Sequence, residues 1–143
     1  MPTFPQATPR AQSIFLLITA VGLTPIALAY GVVPGRSLPG LFGIDGSAVD
    51  TRHIFRAIMG LYLALICFWA TGAFVADLRK PALWSVFVFM VGLAAGRVIS
   101  LIFDGWPGGL LLVYLLLEVT FGCICWWMLR PRTQGAQQAQ ITR

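Results

Sequence analysis

Four apolar runs, each about as long as a lipid bilayer is thick, leave this chain few folds to choose from. A helix needs about 20 apolar residues to cross a hydrocarbon core of about 30 Å. Residues 14–33, 53–75, 82–103 and 110–129 meet or nearly meet that length. Within lipid every backbone N–H and C=O must find a partner inside the protein, and a helix satisfies its own. The expectation is an all-α membrane protein, a four-transmembrane-helix up-down bundle over residues 1–130 with a polar cytoplasmic tail over 131–143. Thr24-Pro25 interrupts the first run and is expected to kink it without ending it. That run also has signal-peptide features, with Arg10 before it and Ala27-Leu28-Ala29 as a small-x-small site. Its length, the prolines ahead of it and the lone basic residue favour a retained helix instead.

The composition supports lipid as the solvent. Apolar residues make up 58% of the chain and charged residues 10%, against roughly 25% charged in a soluble domain, and the mean hydropathy is +0.83. So few charges cannot cover a water-facing surface. The net charge of +5 would suit nucleic acid only if the basic residues formed a stripe. They sit instead at the ends of the apolar runs, so no nucleic-acid partner is expected and their placement reports topology. Arg10, Arg79, Lys80, Arg130, Arg132 and Arg143 fall with the two chain ends and the second connection, against Arg36 and Arg52 on the other side. Both termini are therefore expected on the cytoplasmic side of the membrane. Trp84, Trp126 and Trp127 then belong to the cytoplasmic interface and Trp106 to the outer one.

Residues 34–52, rich in proline and glycine, read as a turn-forming linker that carries Arg36, Asp45 and Asp50. Residues 76–81 and 104–109 are short connections, which force antiparallel neighbours. Cys67, Cys123 and Cys125 all lie within apolar runs, form no CxxC pair and are expected as small buried hydrophobes, with Cys123 and Cys125 on different sides of their helix.

The residues that hydropathy would exclude are the informative ones. Arg56, Arg97 and Glu118 each lie inside a different run, and an ionisable group at mid-bilayer costs about 2.5–3.5 kcal/mol on insertion scales, so it tends to face inward and pair. At 1.5 Å per residue all three fall in the outer half of the membrane, and the Arg97 side chain is long enough to reach Glu118. Arg97, Ser100 and Asp104 share one stripe of the third helix, as His53, Arg56 and Gly60 do on the second and Tyr114 and Glu118 on the fourth. Gly92-Leu-Ala-Ala-Gly96 is a GxxxG that permits close backbone approach, within the bundle or to another membrane protein.

Together, His53-Ile-Phe-Arg-Ala-Ile-Met-Gly, then Gly96-Arg97 through Ser100 to Asp104-Gly105-Trp106-Pro107, then Tyr114 through Glu118, resemble the bacterial membrane family known as domain of unknown function 4345. The resemblance places the family's pattern on Arg56, Gly60, Gly96, Arg97, Ser100, Asp104, Gly105, Pro107 and Glu118. It implies a four-helix membrane architecture over essentially the whole chain and no established activity. The layout alone is also similar to DoxX-type four-helix membrane proteins.

Two classes of function fit these residues. The first is a non-enzymatic membrane protein, either a lipid- or small-ligand-binding unit or an accessory subunit of a membrane complex. Its ligand site would draw on Arg56, Arg97, Ser100, Asp104, Tyr114, Glu118 and His53. The second is a small transporter or membrane enzyme using Glu118 and Arg97 on a lipidic or anionic compound. The sequence offers no nucleophile–base pair, no second carboxylate beside Glu118 in the membrane, no metal-ligand spacing and no cofactor motif. A third reading needs no ligand: the Arg–Glu pair fixes helix register and nothing more.

Overall fold

Helix formation here follows apolar length and punctuation. The computed structural model describes residues 7–130, and the polar tail expected over 131–143 lies outside them. Five helices follow in order: α1 (Pro9–Gly31), α2 (Pro34–Phe42), α3 (Val49–Phe74), α4 (Ala76–Phe103) and α5 (Gly109–Leu129). Four of them, α1, α3, α4 and α5, are long and apolar enough to cross a membrane. At 1.5 Å per residue they measure about 32 to 42 Å, which covers the hydrocarbon and reaches into the headgroup layers. α1 starts under a Thr8 cap whose Oγ1 accepts the Ala11 N–H at 3.2 Å, with Pro9 in the first turn. It runs on through Pro25, as expected, to Gly31.

Two connections depart from the sequence expectation. The linker after the first span is not all turn, because residues 34–42 form α2. Pro34 supplies the fixed φ suited to a first helical turn, and Gly43 ends the helix in the left-handed region at φ 67°. Pro34 and Leu38 are buried and hold α2 to the bundle. Gly46 lies so close to the Pro34 carbonyl that any Cβ there would collide with it. Beyond α2, Asp45 Oδ1 accepts from the Ser47 N–H (2.8 Å) and hydroxyl (2.7 Å). Those two bonds hold the Asp45 carboxyl below the usual carboxylate range.

The second departure is the connection expected over 76–81. It shrinks to Val75, the one residue between α3 and α4, in extended backbone at φ −98°, ψ 114°. Arg79 and Lys80 therefore ride on the first turns of α4. Gly72 permits the close approach this corner needs, since a Cβ there would strike the Ala82 side chain and come within 3.1 Å of the Leu78 carbonyl oxygen. The α4–α5 connection is short, as expected, and turns at Gly105 with φ 92°.

α1 packs along α3, α3 along α4 and α4 along α5. α1 supplies Phe15, Leu16, Ala20, Leu23, Ala27 and Tyr30, six of the fifteen buried apolar residues. A chain without it would lose its central packing surface. An aromatic line runs through the bundle. Tyr30 contacts Phe42, Phe55 and Tyr62 at ring-centroid distances of 5.7, 5.6 and 5.7 Å. Tyr62 then meets Phe89 at 5.1 Å, and Phe89 meets Trp69 at 5.5 Å. Trp69 is fully buried and its indole N–H donates to Ser85 Oγ at 2.7 Å.

α1 and α5 do not pack along their lengths. They meet near the start of α1, where the Phe15 and Phe121 rings lie 5.6 Å apart and the Gln12 amide donates to the Met128 carbonyl at 3.2 Å. These contacts bring the start of α1 and the end of α5 to one end of the bundle. Trp84 and Trp126 pair nearby at 6.5 Å, while Trp106, in the α4–α5 turn, stands exposed at the opposite end. Of the cysteines, Cys125 is buried and its thiol donates to the Leu83 carbonyl at 3.0 Å. Cys67 and Cys123 lie on the outer surface, contrary to the expectation of burial. An apolar thiol is as well placed against lipid as against protein. Cys123 and Cys125 do point to different sides.

The tight corner makes a sharp prediction. Gly72→Ala should overpack the α3–α4 contact and destabilise the protein by about 1–3 kcal/mol. Adding Ala82→Gly should recover part of that loss, as read by thermal unfolding in detergent.

Candidate functional site

Antiparallel pairing of α4 and α5 decides which polar groups meet. Arg97 lies six residues before the end of α4 and Glu118 nine after the start of α5. That is about 9 Å and about 14 Å from the same end of the hairpin, an offset that the arginine side chain spans. The Arg97 Nε–H donates to both oxygens of Glu118, at 2.8 and 2.9 Å. The glutamate side chain is 8% exposed and the arginine 22%, so the carboxylate is enclosed while part of the guanidinium stays open. Its Cζ sits 5.5 Å from the centre of the Tyr114 ring, in cation–π range. Tyr30, from α1, lines the same cavity as Arg97 and Glu118.

Two cavities share Arg97 and Leu93. The first, about 240 Å³, opens where α1 and α5 separate. Ile18, Gly22 and Ile26 of α1, Phe89 and Met90 of α4, and Leu117 and Phe121 of α5 line it. Tyr30, Tyr62, Tyr114, Arg97 and Glu118 gather its polar groups. The Thr19 hydroxyl, also on this surface, donates to the Phe15 carbonyl at 2.8 Å. The second cavity is a groove of about 550 Å³ along α4 and α5, with Gly92, Gly96, Ser100, Asp104 and Trp106 on its lining.

The structure thus brings Arg97, Glu118 and Tyr114 together and places Ser100 and Asp104 beside Arg97 in the groove, exposed. Arg56 and His53 do not join them. Both are exposed on α3. Arg56 Nε donates over a long 3.4 Å to the Gly31 carbonyl. That carbonyl is at the C-terminal end of α1, where helix carbonyls lack internal partners and a cation is favoured. Gly92 and Gly96 have open space where a Cβ would be, so among the described residues the GxxxG face is not packed against another helix. Sequence reasoning missed Tyr30 and Tyr62 and gave the first helix no polar share. One signal was present: Tyr62 lies near the middle of α3, whereas interfacial tyrosines sit at helix ends.

Among the described residues no group of three or more His, Cys, Asp or Glu is placed to hold a metal ion. Four spanning helices with a paired guanidinium and carboxylate inside them define a multi-pass integral membrane protein. The chain belongs to the family described as Domain of unknown function (DUF4345), which matches residues 11–129. No curated protein and no solved structure matches it.

Breaking the ion pair from one side should be worse than removing it. Glu118→Gln leaves Arg97 uncompensated and should destabilise by roughly 3 kcal/mol. The double change Arg97→Met with Glu118→Leu should unfold closer to the parent protein, because no buried charge is then left alone. Thermal unfolding of the two variants and the parent in one detergent measures the difference.

Proposed function

We propose that the protein binds a small neutral amphiphile in the cavity between α1 and α5, as a binding protein of the membrane and not as an enzyme. The observation that carries this reading is the cavity itself: a largely apolar lining that includes three tyrosines and the Arg97–Glu118 pair, within a membrane-spanning bundle. Its volume is about 240 Å³. That space suits a small molecule or part of a chain, not a whole phospholipid. Three tyrosines and Arg97 are among the lining residues, against the one carboxylate of Glu118. The rest of the lining is almost wholly apolar, so a carbonyl, hydroxyl or ether oxygen on an apolar body matches the site. No histidine, cysteine or second carboxylate lines the cavity, which favours binding over group transfer.

The reading extends to location: a bacterial plasma membrane with both chain ends in the cytoplasm. The excess of Lys and Arg at the chain ends and the α3–α4 corner supports it, as does the joining of Gln12 to Met128 at one end of the bundle. A green fluorescent protein fused to the C-terminus should fluoresce, and alkaline phosphatase at the same place should be inactive. The reverse pattern would invert the orientation.

Gly22→Leu tests the binding site directly. A Cβ at Gly22 meets nothing within 4 Å, so the new side chain enters the cavity without disturbing packing. Native mass spectrometry should find an amphiphile with the parent protein and not with the variant, at matching thermal stability. A parent protein that carries nothing, or a variant that carries as much, would sink the proposal.

A further inference from the structure

The groove on α4 and α5 has a different chemistry from the cavity. Arg97, Ser100 and Asp104 line it at i, i+3 and i+7 of α4, so a cation, a hydroxyl and a carboxylate follow one another over about 10 Å toward the α4–α5 turn. Arg97 bonds Glu118 through Nε, which leaves its terminal nitrogens for another acceptor. Among the described residues no cation forms an ion pair with Asp104. Across the groove from Ser100 and Arg97 stand Leu112 and Leu115 of α5, at about the same depth; deeper in, the lining is apolar at Leu93, and Gly92 and Gly96 leave open space where a Cβ would stand.

Order and charge together select an occupant. A phosphate fits against Arg97 and Ser100, and Asp104, one level nearer the turn, calls for a cation beyond that phosphate. Glu118 already balances Arg97, so the groove as a whole is negative and disfavours a lipid with net negative charge. A primary ammonium, with three N–H donors, bonds a carboxylate in a way that a quaternary ammonium cannot. We propose that this groove holds a zwitterionic phospholipid with a primary ammonium headgroup, of the phosphatidylethanolamine type. Its phosphate lies against Arg97 and Ser100, its ammonium against Asp104, and one acyl chain crosses Gly96 and Gly92. The site is separate from the cavity between α1 and α5, although Arg97 borders both.

The test is competition among lipids. The full chain is reconstituted in nanodiscs of equal parts phosphatidylethanolamine, phosphatidylcholine and phosphatidylglycerol, and the lipids that stay bound are identified by native mass spectrometry. Phosphatidylethanolamine should be enriched severalfold over both others. Asp104→Asn should abolish that preference. Gly96→Leu, whose Cβ meets nothing within 4 Å, should fill the open space there and remove the retained lipid. Gly22→Leu, in the other cavity, should leave it in place, which separates this proposal from the amphiphile site. Equal retention of the three lipids by the parent protein would overturn the assignment. So would an unchanged preference in Asp104→Asn, or loss of the lipid in Gly22→Leu with retention in Gly96→Leu.

Discussion

A guanidinium and a carboxylate inside hydrocarbon are stable only as partners, and that condition governs this bundle. The single Nε–H of Arg97 shared between both oxygens of Glu118 fixes the register of α5 against α4. A shift of one turn would leave a bare charge on each helix, at a cost far above that of any one apolar contact. With α5 held to α4, and α4 held to α3 through the Val75 corner and the Gly72 contact, three helices form one unit. α1 completes it from the α3 side, through the aromatic line that starts at Tyr30. The gap toward α5 follows from that order of packing.

The spans were legible because lipid imposes length, and length is counted directly on a sequence. Pairing of Arg97 with Glu118 was legible for a similar reason: depth along two antiparallel helices follows from position alone. Rotation of the helices was not. When lipid-facing and core-facing surfaces are both apolar, periodicity shows that His53, Arg56 and Gly60 share a face but not which way it points. The structure turns that face outward and uses Arg56 at the end of α1. Tyr30 escaped notice because it carries no charge, although it lines the cavity beside the ion pair.

The connections show why punctuation is harder to read than length. Proline and glycine between two spans read as a turn, yet Pro34 and Gly43 are also what starts and stops a short helix, and α2 lies between them. Charged residues near a span end read as a loop. Arg79 and Lys80 belong instead to the first turns of α4, where long side chains can reach the interface while their backbone stays helical.

Around the bundle the helices follow in the order α1, α3, α4, α5, and every neighbouring pair but one is joined by a stretch of chain. The exception is the side between α5 and α1, where the described chain ends and begins. No loop limits how far these two helices stand apart, so their spacing is set by side chains alone. The Phe15–Phe121 and Gln12–Met128 contacts fasten that side at one end, much as a hinge pin holds two leaves. Widening the seam at its free ends would therefore stretch no covalent connection. The cavity occupies the one edge of the bundle that no connection spans.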